Sequence, residues 1–268
     1  MSVSTMIPDV PVANIIGITV SLVISVGLPI ALCIVVWRKT RARISSFFIG
    51  AATFVLFALI LEQILHTVVL TATGTALTGN IWLYALYGGL AAGVFEETGR
   101  YLAMKLCLKK NLNKQNAIMY GVGHGGIEAM LLVGMACVSN LVIAVMINSG
   151  QVPALLEMSG VDGSTYVLAV EQMTAVSTTP AWQFYMAGLE RIAAIIFHIS
   201  ASYLVYLAVR DKKLPCYLLA ILLHFLLDAM VLILAKYLPI LAVELITLLF
   251  SCVFGAIVWK MYHRCAEV

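Results

Sequence analysis

Long apolar runs dominate the chain, and few polar positions interrupt them. Seven runs can be read off, at about 13–37, 46–70, 81–104, 117–147, 182–209, 215–235 and 239–261. Each is long enough for the ~20 residues that cross a bilayer as a helix. The pattern predicts an all-α polytopic membrane bundle of about seven transmembrane helices, with residues 1–268 forming one transmembrane domain. The first run exceeds a signal-peptide core and has no basic stretch before it, so it reads as a true span. The fourth exceeds one bilayer thickness, which predicts tilt or an end in the interface. The longest polar stretch, 148–181, carries Gly150, Pro153, Gly160, Gly163 and Pro180. These breakers predict a loop, with a short helix at about 166–176, lying on the membrane surface as a lid or cap.

Lysine and arginine give the orientation. Thirteen of the sixteen follow runs one, three, five and seven, from Arg38, Lys105, Arg210 and Lys260 onward. By the positive-inside rule the C-terminus is cytoplasmic, the N-terminus is outside, and 148–181 is an extracytoplasmic loop. Trp37, Trp82, Trp182, Tyr237 and Trp259 fall at span ends, as interfacial belt residues do.

Composition narrows the function. The chain is 62% hydrophobic and 11% charged, less than half the usual charge of a soluble domain. That excludes a soluble enzyme, a nucleic-acid binder and a disordered chain. The expected location is a bacterial plasma membrane, with the lipid bilayer as a partner. Cys33, Cys107, Cys137, Cys216, Cys252 and Cys265 are scattered without CxxC spacing and read as reduced packing residues.

The informative residues are those that lipid disfavours. Glu62, Glu96, Glu97, Glu128, Glu190 and Asp228 lie inside runs, with His66, His124, His198 and His224, but only Arg100 and Arg191 as cations. A charge at mid-bilayer costs at least ~2.5–3.5 kcal/mol, so such groups pair, line a wet cavity or do chemistry. Counted at ~1.5 Å per residue, Glu96, Glu97, Arg100, His124, Glu128, His198, His224 and Asp228 share one slab, roughly 6–20 Å from the cytoplasmic side. This predicts one polar cavity among spans three to six, about 81–235, opening toward the cytoplasm. His124/Glu128 and His224/Asp228 are i,i+4 pairs, each on one helix face. Gly89/Gly93 and Gly121/Gly125 predict a close approach of spans three and four that brings the glutamates to His124. Six acids cannot all stay ionised against two arginines, so either several are protonated or a cation sits among them. Carboxylates beside imidazoles suit acid–base chemistry and suit zinc. Nearer the outer face, Arg191 is expected to clasp Glu62 or Glu190. His66 is expected to snorkel.

The motifs Glu96-Glu97-Thr-Gly-Arg100, His124-Gly-Gly-Ile-Glu128, Glu190-Arg191 with Phe197-His198, and His224-Phe-Leu-Leu-Asp228 together resemble the YhfC family of intramembrane metalloproteases. That family looks like a branch of a larger group holding the CAAX prenyl endopeptidases and the PrsW proteases. The resemblance covers spans three to six. It implies that one of Glu96 and Glu97 activates water and that Arg100 is the base following the pair. Glu128 falls where PrsW has Glu, and His224 and Asp228 match the last motif. His124 departs from the Phe of the relatives, and His198 lies outside the shared pattern; both imidazoles add metal-binding capacity.

The function so implied is hydrolysis of a peptide bond in a membrane protein or lipidated peptide. Glu96, Glu97, Arg100, Glu128, His224 and Asp228 form the catalytic set. Two mechanisms stay open: a zinc ion held by His124, His198 and His224, or a metal-free glutamate mechanism. The chain has no HExxH motif, which excludes a zincin-type site. The other classes are a catalytically silent scaffold or immunity-type relative, and a proton-coupled transporter.

Overall fold

The computed structural model describes residues 7–152, 160 and 163–264, and among them there is no strand. The long helices are α1 (Val12–Thr40), α2 (Ile44–Thr73), α3 (Ile81–Leu106), α4 (Lys114–Asn148), α5 (Gly163–Thr178), α6 (Ala181–Arg210), α7 (Leu214–Tyr237) and α8 (Ile240–Arg264). Six of them, all but α3 and α5, are long and apolar enough to cross a membrane. The remaining expected span, α3, has 26 residues. Its glycines, Glu96, Glu97 and Arg100 dilute its apolar character, because it carries the polar cluster.

Surface chemistry agrees with a lipid solvent. Leu, Ile and Val side chains are exposed along α1, α2, α7 and α8, and Trp37, Trp82, Trp182, Tyr237 and Trp259 are exposed near helix ends. Among the six apolar helices only α6 is mostly enclosed: 72% of its most apolar stretch is buried, against 22% in α1 and α7. It packs against α1, α3, α4, α7 and α8, and so forms the centre of the bundle. Among the described residues the cysteines Cys33, Cys107, Cys137, Cys216 and Cys252 are free. Cys265 and Pro153 lie outside the described residues.

The two ends of the bundle differ. At the basic end, Asn113 caps α4 by accepting from the Asn116 amide, and Asn116 ties the α1–α2 turn down by accepting from Arg43 N at 2.7 Å. At the opposite end, the segment expected to be a surface cap contains α5, longer than the predicted 166–176. It buries Met173 and Val176 in an apolar cluster with Ile18 of α1 and Ala144 and Ile147 of α4. Asn14 of α1 donates to the carbonyls of Val176, Ser177 and Thr179, so the segment is fastened by hydrogen bonds as well as by burial.

The small-residue motifs act differently from the expected close approach of spans three and four. Gly89 and Gly93 face α7: a Cβ there would lie 2.7 Å from Phe225 O and 2.8 Å from Ile221 O. Gly121 and Gly125 face α6, where a Cβ would lie 2.7 Å from Ile199 Cα and 3.0 Å from His198 Cβ. Each glycine pair thus docks its own helix on a different partner, and α6 and α7 carry the histidines toward the glutamates.

Two helices change winding beside polar residues. A π-helical segment in α2 ends on Glu62, and another in α4 begins directly after Glu128. Such segments rotate the following part of a helix and recur at functional sites.

Gly93→Leu is expected to force α3 off α7 and lower the thermal unfolding temperature in detergent, at an overpacking cost of ~1–3 kcal/mol or more. Gly27→Leu on the exposed face of α1 is expected to leave it unchanged.

Candidate active site

The polar residues converge from four helices about ten residues from the basic end, roughly 15 Å into the bundle. Arg100 is fully buried. Its Nε lies 3.1 Å from Glu97 Oε2, and its Nη1 donates to Ser202 Oγ and to the His198 carbonyl, each at 2.6 Å. Its Nη2 approaches His198 Nδ1 at 3.0 Å. A guanidinium only donates, so His198 Nδ1 accepts, and the proton of the neutral ring sits on Nε2. That Nε2 lies 2.5 Å from Glu128 Oε2. Glu128 is also held by Arg191, whose Nη1 is 2.7 Å from Oε1, while Arg191 Nη2 reaches Glu190. The seven-residue spacing of Arg191 and His198 therefore serves one carboxylate.

The paired glutamates have separate surroundings. Glu97 is enclosed: beyond Arg100, its Oε1 accepts from His224 Nδ1 at 2.9 Å. Glu96 faces the opening. Its Oε2 is 2.9 Å from His124 Nε2 and 3.9 Å from His198 Nδ1, and its Oε1 is 3.9 Å from His224 Nε2. The same His224 Nε2 lies 3.6 Å from Asp228 Oδ2.

A cavity of about 510 Å3 rises from this cluster. Glu96, Glu128, His198, His224 and Asp228 line its floor, while His66, Leu70, Tyr84, Tyr87 and Leu232 line its upper part. Leu70 and Tyr84 stand near the ends of α2 and α3 remote from the basic loops. The cavity therefore extends toward the lysine-poor end, opposite to the cytoplasmic opening expected from residue depth. Toward the basic end, Met104, Leu108, Tyr203 and Leu204 pack into a buried apolar cluster that closes the bundle.

The outer charges show one expected pairing and one change. Arg191 pairs with Glu190, as one of the two expected clasps, and adds Glu128. Glu62 is elsewhere: its Oε1 is 3.2 Å from His66 Nε2. His66 does not snorkel; its Nδ1 meets the Tyr87 hydroxyl at 2.8 Å, on the cavity wall. Sequence reasoning does not single out Ser202 or Tyr87. Ser202 lies one helical turn beyond His198, a spacing that could flag it; Tyr87 has no such signal.

Glu96, His124 and His198 each offer a ligand atom within 4.8 Å of the others. Two imidazoles and a carboxylate are a zinc-type donor set. His198 meets the further requirement that a carboxylate hold its second nitrogen. His124 does not, since its buried Nδ1 makes no hydrogen bond among the described residues. In kind and proximity the trio fits a metal ion. The Arg100–His198 Nδ1 hydrogen bond and an ion on that nitrogen exclude each other. His224, the third histidine of the expected ligand set, stands beside the trio, with Nδ1 engaged by Glu97.

A family model described as YhfC intramembrane metalloprotease matches residues 24–247. The chain belongs to the YhfC family. It is 40% identical over 201 residues to the uncharacterized membrane protein YhfC of Bacillus subtilis (strain 168), covering 74% of this chain and 76% of that protein. No solved structure matches. With its apolar helices, this makes the chain a multi-pass membrane protein, and the YhfC resemblance read from the motifs holds over most of the chain.

In a cysteine-free background, Gln63→Cys at the cavity mouth is expected to react with an impermeant maleimide added to intact cells. Lys39→Cys at the basic end is expected to react only after permeabilisation. The reverse pattern would invert the orientation and place the mouth in the cytoplasm.

Proposed function

We propose that this chain is an intramembrane endopeptidase of the bacterial plasma membrane, hydrolysing a peptide bond of a membrane protein or lipidated peptide. The observation that carries this reading is the convergence of Glu96, His124 and His198, two of which, Glu96 and His198, line the buried floor of a cavity reached from one end. A peptide bond needs an activated water, a polarised carbonyl and a proton for the leaving amine, all shielded from bulk solvent.

Glu96 is the carboxylate of the pair that lines the cavity, so it takes the role of base. It accepts a proton from water, whose oxygen attacks the carbonyl carbon. The tetrahedral intermediate then breaks at the C–N bond, and the proton passes from Glu96 to the leaving nitrogen. His224, carrying a proton on both ring nitrogens, directs Nε2 between Glu96 and Asp228 and donates from it to the developing oxyanion. Glu97 acts as a positioning residue: pinned by Arg100, it orients His224 through Nδ1. Glu128 orients His198 in the same way. In the metal-dependent alternative, a zinc ion held by Glu96, His124 and His198 would supply Lewis-acid polarisation and a water of lowered pKa, in place of Glu96 as the base.

The wall between the cluster and the basic end favours an enzyme over a proton-coupled transporter. A transport path needs polar groups through the whole bilayer, and the apolar cluster around Met104, Leu108 and Tyr203 interrupts such a path.

The test compares new protein N-termini in membranes of cells making the wild type or Glu96→Gln. Termini generated by the wild type are expected to fall by ~10²–10⁴-fold in Glu96→Gln, with the variant still folded. Glu97→Gln is expected to lose stability instead, by ~3–5 kcal/mol, because it leaves a buried guanidinium uncompensated. Identical termini in wild type and Glu96→Gln would point to the catalytically silent scaffold.

A further inference from the structure

A second cavity lies behind α6, on the face turned away from the active site. It holds about 680 Å3, within the ~300–1,000 Å3 of small-molecule pockets. Its walls are apolar, with Val35 and Val36 from α1, Ile196 and Ile199 from α6, and Val258 from α8. At the basic end it is rimmed by Lys39, Trp259, Tyr262 and His263. No acid is among the described residues that line it, whereas Glu96, Glu128, Glu190 and Asp228 line the active-site cavity.

Its length is informative. Lys39 and His263 are next to the last residues of α1 and α8. Ile196 and Cys252 lie twelve to fourteen residues inside the basic ends of α6 and α8. At 1.5 Å per residue the groove runs ~18–21 Å into the bundle, against ~15 Å for the hydrocarbon of one leaflet. A long apolar slot with a cation at its head has the form of a single acyl chain with its phosphate. Basic pockets between spans on the cytoplasmic side bind anionic headgroups by the same chemistry.

We propose that this groove binds one anionic phospholipid from the leaflet at the basic end. Its phosphate sits at Lys39 and His263, and an acyl chain lies between α6 and α8. The lipid then supports α6 directly behind His198, since Ile196 and Ile199 form its wall.

Native mass spectrometry of the whole protein in detergent tests this, with phosphatidylglycerol and phosphatidylcholine of identical chains. One phosphatidylglycerol is expected to survive activation that strips phosphatidylcholine. Lys39→Gln with His263→Gln, both exposed positions, is expected to lower that preference by roughly five-fold or more, the share of the Lys39 charge alone, while leaving thermal unfolding in lipid-free detergent unchanged. Cys252→Trp, filling the inner end of the groove, is expected to remove retention of both lipids. Equal retention of the two lipids by the wild type would overturn the proposal. So would an unchanged preference in the double variant, or displacement of phosphatidylglycerol by inorganic phosphate alone, which would assign a free anion instead.

Discussion

The burial of Arg100 is the constraint on which the centre of the bundle depends. A guanidinium at this depth is costly unless every donor is answered and its charge is met. Glu97 meets the charge from the same helix, one turn away. Ser202 and the His198 carbonyl answer Nη1 from α6. The remaining Nη2 reaches His198 Nδ1, and that contact fixes which nitrogen of His198 carries the proton and faces Glu128. One cation therefore locks α3 to α6 and sets the hydrogen-bonding sense of an imidazole in the candidate site.

From this anchor the two glutamates separate in role. Glu97 is spent on Arg100 and His224 and does not line the cavity. Glu96 is left facing His124, His198, His224 and the open space. Adjacent residues on a helix point about 100° apart, so a Glu-Glu pair naturally supplies one carboxylate for the framework and one for the opening. Glu128, between His198 and Arg191, extends the network toward Glu190 at the cavity rim.

Much of this is legible in the sequence, and the reason is physical. Spans show themselves by length and apolarity, and depth follows from a fixed rise per residue. The shared level of Glu96, His124, His198 and His224 is therefore readable from residue counts alone, as are the His224–Asp228 pair and the Glu97–Arg100 pair. What depth leaves open is azimuth. Gly89/Gly93 and Gly121/Gly125 mark close packing but not the partner, which is α7 for one and α6 for the other. The same gap hides the direction of the cavity. Residues at a given height can open either way, and what closes the basic end is an apolar cluster of Met104, Leu108 and Tyr203, which resembles any other core in sequence. The Glu62–His66–Tyr87 chain escapes sequence reasoning because it joins two helices across the mouth, beside a π-helical segment whose altered winding no simple periodicity shows.

The proposed metal centre joins Glu96, His124 and His198 in one metal-binding group, in which an ion on His198 Nδ1 takes the place of the Arg100 contact. The direct measurement is bound zinc per chain, by elemental analysis of protein purified in detergent and equilibrated with zinc, in the wild type and in His124→Ala, His198→Ala and His263→Ala. Close to one zinc per chain is expected in the wild type and in His263→Ala, and loss of that zinc in both His124→Ala and His198→Ala. A folded wild type that binds no zinc, or zinc that survives in both site variants, would contradict this assignment.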